Sequence, residues 1–327
     1  MSDPNYSELL STTMQYLESE MQENMLKNNG LLFELEDRGN VKTFDGGPSI
    51  VQPIAYAENV TYKRMSGYEV IDITPSTVFS AAQFAIKQVT ISVSMSGLEM
   101  LINSGKSQKF DLMEERIKNA ELTFENNFSS DLYSTGTADS GKQIGGLQLL
   151  VADAPGTGTV GGIDRSLWSF WRNQYYSFSA NSVSASATTI QPPMNSLYLS
   201  QTIRKTTPKL GIADNTYFGY FEASLQSIQR IVQDGTGKNK MADAGFQSYL
   251  YKGIPIVFDG GLGGACPANH MYLLNTDYIY LRPHKDRQLT QLNPERFAVN
   301  QDAVVRILGW AGNLTISNCR HQGVIIA

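Results

Sequence analysis

Across residues 107–133 the hydrophobic positions fall three and four residues apart. Phe110, Met113, Ile117, Phe124 and Phe128, with small Ala120 between them and Leu132 at the end, draw one stripe down a helix of about seven turns. Those five large side chains are the expected core face. The opposite face carries Glu114, Glu115, Lys118, Glu121 and Glu125, and Glu114 with Lys118 makes a favourable i,i+4 pair. A glycine-broken run follows, from Gly136 to Gly146, closing in the string KQIGGLQ at 142–148.

A second helical period runs over residues 5–27, through Tyr6, Leu10, Met14, Leu17, Met21 and Met25, and Asn29-Gly30 reads as its stop. Residues 31–55 lose periodicity among glycines and prolines. Residues 56–95 read as two extended arms. The second is clear: Val89, Ile91, Val93 and Met95 alternate with Thr90, Ser92 and Ser94. The first covers 62–73, and 74–82 is the loop between them. Ser96-Gly97-Leu98-Glu99 has the form of a capping box and opens a short helix ending near Asn103.

After Gly146 the pattern predicts an apolar strand at 147–151, helices at 195–204 and 223–233, and strands at 217–221, Ile254–Phe258 and 271–274. This alternation suggests a compact α/β lobe. The tail, 302–324, reads as long strands broken at Gly309 and Gly312. No internal repeat is visible.

The chain has 327 residues, enough for two domains or one elongated lobed subunit. Only 17% are charged, below the usual quarter, with Ser, Thr, Asn, Gln and Gly making up the difference. Such a surface suits extensive protein contact. The net charge of −5 and the lack of a basic block argue against gripping nucleic acid directly. The first residues have no basic start and no apolar core of a signal peptide, and no apolar run is long enough to span a bilayer, so a cytoplasm-like compartment is expected.

Cys266 and Cys319 form neither a zinc spacing nor a disulfide framework. Gly156, Gly158 and Gly161 match G-x-G-x-x-G, but Gly162 breaks any helix start and no acid follows at the ribose position; the stretch reads as a surface loop. His270, His284 and His321 are scattered, with no nucleophile context. Trp168, Trp171 and the nearby tyrosines read as a core or interface cluster rather than a base-stacking platform. The expectation is no catalytic site, no cofactor and no metal.

The order of these elements resembles the major capsid proteins of tailed double-stranded DNA bacteriophages, the HK97-like family. The matching stretches are FELEDR at 33–38, AENVTYK at 57–63 with GYE at 67–69, MSGLE at 95–99, the helix at 110–133, and KQIGGLQLLV at 142–151. GIPIVF at 253–258, YIYLRP at 278–283 and WAGNLTISNC at 310–319 follow. The resemblance covers nearly the whole chain and rests on colinear order.

It implies an α+β, HK97-like capsid fold: an N-terminal arm (1–55), an extended β-hairpin loop (56–95), peripheral-domain helices including a long spine helix (96–134), a compact axial α/β domain (135–280), and peripheral-domain strands with the C-terminus (281–327). It implies a subunit that assembles with itself as hexamers and pentamers into an icosahedral shell around phage DNA, enclosed without sequence-specific binding. A portal protein, a separate scaffolding protein and a decoration protein are the further partners; a membrane is not. The location is the virion, with assembly in the host cytoplasm. Lys63, Arg64, Tyr68, Glu69, Lys87, Pro294, Glu295 and Arg296 are the candidate contacts between subunits. Lys63 and Lys87 flank the loop, but no Asn and Glu match a crosslinking site, so crosslinking is not expected. A compartment shell of the same fold, loading cargo instead of DNA, and an α/β enzyme are the alternatives.

Overall fold

The structure is a computed structural model that describes residues 29–102, 112–226, 248–261, 264–292, 296–297 and 301–327. The expected helix over 5–27 lies outside them, as do Phe110, Pro294 and Glu295. In chain order come helix α1 (Gly30–Asp37), strands β1 (Ile50–Ala55), β2 (Phe79–Phe84) and β3 (Lys87–Ser96), then helices α2 (Gly97–Ile102), α3 (Leu112–Asp131) and the single turn α4 (Leu147–Leu150). Short β4 (Thr159–Val160) and β5 (Ile163–Asp164) precede β6 (Gln174–Ser177), α5 (Gln191–Gln201), β7 (Leu210–Ala213) and α6 (Asn215–Gln226). The remaining strands are β8 (Ser248–Tyr251), β9 (Ile254–Phe258), β10 (His270–Leu274), β11 (Ile279–Pro283), β12 (Thr290–Gln291), β13 (Arg296–Phe297), β14 (Ala303–Ile316) and β15 (Gly323–Ile326), with a 3-10 turn, Thr276–Tyr278, between β10 and β11.

Two sheets organise the chain. In the first, the 14-residue β14 is flanked on one side by β3 and on the other by β13, β12 and β11. The long helix α3 lies across the β3–β14 pair. Opposite residues of an antiparallel pair share a face, so Val89, Ile91, Val93 and Met95 stand beside Trp310, Leu308, Arg306 and Val304. Ala120, Phe124 and Phe128 of α3 are buried against this surface and Ile117 packs partly into it. Phe128 meets Phe124 at 5.3 Å and the edge of Trp310 at 4.9 Å. Each such side chain contributes about 1.5–3 kcal/mol by leaving water. Glu121 and Glu125 face solvent, as the period requires. Lys118 reaches Glu115 at 3.1 Å; the side chains of Met113 and Glu114 are outside the described set.

The capping box forms as read: Glu99 N donates to Ser96 Oγ at 3.2 Å and Ser96 N to Glu99 Oε2 at 3.0 Å. The glycine-rich string after α3 has a steric cause. A Cβ on Gly146 would lie 2.3 Å from Ser134 N and 2.5 Å from Asp131 O, so the chain folds back against the helix end only with glycine there. Leu147 N then donates to Leu132 O at 2.7 Å.

The second sheet has order β6-β15-β10-β7-β9-β8. Its β6–β15 and β7–β9 pairs are parallel and the rest antiparallel. Helices α5 and α6 cover one face through Met194, Leu197, Tyr217, Phe218 and Phe221. The other face joins the core that reaches α1, α4 and the end of α3. The two sheets are tied where the chain crosses between them. Asn275 N donates to Gln322 Oε1 at 2.9 Å and Gln322 Nε2 returns to Asn275 O at 3.0 Å. Beside them the rings of Tyr278 and His321 stack at 4.9 Å.

Several expectations are corrected. Asn29 starts a helix, its Oδ1 accepting from Leu32 N at 3.0 Å, while the helix it was expected to stop lies outside the described residues. Residues 62–73 form no strand, and the partner of β2 is β1, so the ribbon is 50–55 with 79–84. β3 belongs to the first sheet instead, because its apolar alternation matches the face under α3. Residues 147–151 make a helical turn, since Leu147 and Leu150 are buried on one side of it. Residues 217–221 lie inside α6: Tyr217, Phe218 and Phe221 share a helical face against the sheet. The helix expected at 195–204 starts earlier, with Pro192 and Pro193 in its first turn, and ends at Gln201. β14 runs unbroken through its glycines, which admit neighbours: a Cβ on Gly309 would meet Leu292 at 2.6 Å, and one on Gly312 would meet Arg282 O at 2.4 Å. The last strand, β15, joins the second sheet, not the strands beside α3.

Candidate assembly surface

The β1–β2 ribbon has an inner and an outer side. Ile50, Ile54, Ala82 and Phe84 are buried, and Ala82 and Phe84 press on Gly161, which has φ +59° and no room for a side chain. Gln83 N donates to Gly161 O at 2.8 Å, and Arg282 Nη2 donates to Gln52 Oε1 at 3.0 Å. The outer side keeps Val51 and Phe79 exposed.

Beyond the ribbon the chain makes an excursion over residues 56–78. Its base closes through Tyr56 N to Val78 O at 3.1 Å. Asn59 Oδ1 accepts from Ser76 Oγ at 3.1 Å and from Thr61 N at 3.0 Å. Asp72 accepts from the Thr74 hydroxyl and amide, which hold its carboxyl below the usual range. Tyr56 at the base packs on Trp168 at 5.7 Å and Phe170 at 5.8 Å, but farther out Tyr62, Tyr68, Val70 and Ile73 are exposed over nearly all of their surface.

The sequence-derived contact residues separate into groups. Lys63 and Glu69 come together at 2.9 Å on this excursion, and Arg64 and Tyr68 are exposed beside them. Lys87 stands apart, at the start of β3, where its Nζ donates to Gly141 O of its own subunit. Arg296 pairs through its backbone with Val305. The sequence reading missed Val51 and Phe79, because it began the ribbon too late; the alternation of Ile50, Gln52 and Ile54 with Val51 and Pro53 was the available signal.

Elsewhere the titratable groups fasten elements together. Tyr133, just past α3, donates its hydroxyl to Asp259 at the end of β9, and Ala265 N donates to the same carboxylate at 3.1 Å. Burial raises the pKa of Asp259 against the effect of those donors, and burial carries the Tyr133 phenol well above its normal value. His270 faces Asp153 at 3.1 Å; burial opposes its charged form, but the bonds to Asp153 and the Ala268 carbonyl outweigh it and raise its pKa. The Cys319 thiol is pushed up to about 11 by burial. Among the described residues no three His, Cys, Asp or Glu side chains are grouped to hold a metal ion, and no helix is long and apolar enough to cross a membrane. Glu99 is held down to about 2 by its ion pair with Arg116 at 2.8 Å and by the Ser96 amide.

No family model matches the chain, and no curated protein matches its sequence. Solved structures do match. A chain of the cyanophage A-1(L) capsid asymmetric unit is 17% identical, with TM-score 0.68 and 97% of each chain covered. The capsid structure of cyanophage P-SCSP1u gives 11% identity and TM-score 0.58 over 100% of this chain and 96% of that one. The holo-SrpI encapsulin complex from Synechococcus elongatus PCC 7942 gives 7% and 0.54, covering 97% and 92%. Identities this low speak to the fold, and they do so over nearly the full length of both chains: this polypeptide has the fold of phage capsid subunits, which an encapsulin complex shares.

Proposed function

We propose that the chain is the major capsid protein of a tailed double-stranded DNA phage, of the HK97-like kind, assembling as hexamers and pentamers into an icosahedral shell. In this reading α3 is the spine helix, the first sheet the peripheral domain, the second sheet with α5 and α6 the axial domain, and 50–84 the extended loop. The observation that carries it is the 56–78 excursion. It is held at its base, where Tyr56 packs on Trp168 and Phe170, and beyond that base its apolar side chains are left uncovered by the described residues, a surface that another chain would bury. Lys63, Arg64, Tyr68 and Glu69 are then contact residues, and with them Pro294, Glu295 and Arg296. The net charge of −5 supports DNA enclosed without tight binding. Portal, scaffolding and decoration proteins are the expected partners, and the virion the location.

Co-expression with a scaffolding protein from the same genome, followed by sedimentation and electron microscopy, tests this reading. Closed shells are expected; a chain that stays monomeric under those conditions overturns it. The fold match to an encapsulin complex favours a second reading, a compartment shell. Particle contents separate the two: nuclease-protected double-stranded DNA supports the capsid, and a packaged cargo protein the compartment.

A further inference from the structure

The first sheet ends in an open edge. Ser94 O accepts from Arg116 Nη1 of α3 at 2.8 Å, so residue 94 turns its backbone away from β14. Across β14, Ile307 O accepts from Leu292 N at 2.9 Å, which fixes the same parity from the other side. Both N–H and C=O of Gln88, Thr90 and Ser92 therefore point outward, and they meet no partner among the described residues. The usual protections of an edge are missing: β3 is ten residues long, has no proline, and carries one charge, Lys87. Beside this edge, between β3 and α3, lies a cavity of about 180 Å³ lined by Val89, Thr90, Ile91, Phe124, Asn127, Phe128 and Asp131.

The excursion holds the complementary element. Residues 69–73, Glu-Val-Ile-Asp-Ile, are strand-prone in composition, yet join no strand among the described residues and leave Val70, Ile71 and Ile73 exposed. Five residues of strand span about 17 Å, the reach of 88–92. In a strand, Ile71 and Ile73 fall on one face with Glu69, so both isoleucines can enter the cavity on the side of Val89, Phe124 and Phe128 while Val70 and Asp72 face away. The segment's acids come to an edge strand whose one charge, Lys87, is basic, and Asp131 of the cavity lining is already held by Gln143 Nε2 at 2.8 Å.

We infer that in the assembled shell residues 69–73 of one copy add as a strand to the open edge of β3 in a second copy, seating Ile71 and Ile73 beside Phe124 and Phe128. The pairing rests on the self-assembly reading and names its contact: main-chain hydrogen bonds give the binding, and the cavity sets the register.

Hydrogen exchange on full-length subunits and on shells tests it. In shells the amides of Thr90 and Ser92 and alternate amides within 70–73 should slow together by at least about tenfold, while they exchange freely in the monomer. The double variant Ile71→Asp/Ile73→Asp should lose that protection at both places. Thr90→Pro removes only an outward N–H, so it should leave the monomer's melting unchanged and block shells. Shells in which these amides stay fast, or in which 90 and 92 are protected but 69–73 are not, overturn the pairing and leave the capsid reading standing. Failure to form any shell overturns both.

Discussion

Helix α3 and the 56–78 excursion make an instructive pair. The helix has 20 residues, seven of them apolar; the excursion has 23, ten of them apolar. Composition alone would bury the excursion first. The reverse holds, because the apolar residues of α3 recur with the helical period and meet the face built by Val93, Met95, Val304 and Leu308. Those of the excursion beyond Tyr56 meet no surface among the described residues. Burial is decided by whether the complementary face lies in the same chain, and an apolar segment without one marks where the chain expects another.

The sharpest way to break this contrast is a charge in the helix stripe. Phe124→Asp loses a buried ring and buries a carboxylate among Phe128, Val89 and Ile91. The cost should exceed the ~3–5 kcal/mol of a Phe→Ala truncation, seen as loss of soluble yield or a collapsed melting temperature. A smaller effect is expected where α3 meets the second sheet. Tyr133→Phe leaves the buried Asp259 without its hydroxyl donor and should cost about 1–3 kcal/mol in denaturant unfolding. The next is a pH effect on the cap of α2. Glu99 has its pKa lowered from 4.5 to about 2, so its contribution is present above the unfolded value and is lost as pH falls from 4.5 towards 2. Glu99→Gln should flatten that part of the melting-versus-pH curve and leave melting unaltered in its dependence on pH above it. Least of all, Glu125→Ala on the exposed face of α3 should change stability by under ~0.5 kcal/mol. Equal effects from the 124 and 125 substitutions would mean the helix has no preferred face.

The same contrast shows what the sequence could disclose. Where a period was long and one-sided, as in α3, or an alternation matched a covered face, as in Val89 to Met95, the element was legible. Ile254–Phe258 was legible as a short apolar run bounded by glycine on one side. Runs of four or five apolar residues were not decided by pattern: 217–221 is helical because the second sheet offers a face to Tyr217, Phe218 and Phe221, and 147–151 is helical because the chain must turn after Gly146. The arm expected over 62–73 is not a strand, because a strand needs a ladder and the described residues offer it none. Of the candidate contact residues, Lys63 and Glu69 were read separately, and their meeting at 2.9 Å within one chain was not foreseen. Nor was the capture of Lys87 by Gly141 O, since it depends on where a distant loop returns.

The most direct test removes the excursion and keeps the ribbon. Deleting residues 60–75 and closing with a short glycine-rich turn spares β1 and β2, including buried Ala82. Sedimentation and thermal melting would then be read on the same preparation. The prediction is a subunit that melts within a few degrees of the full chain and forms no shells; unfolding of the subunit, or shells like those of the full chain, would contradict it.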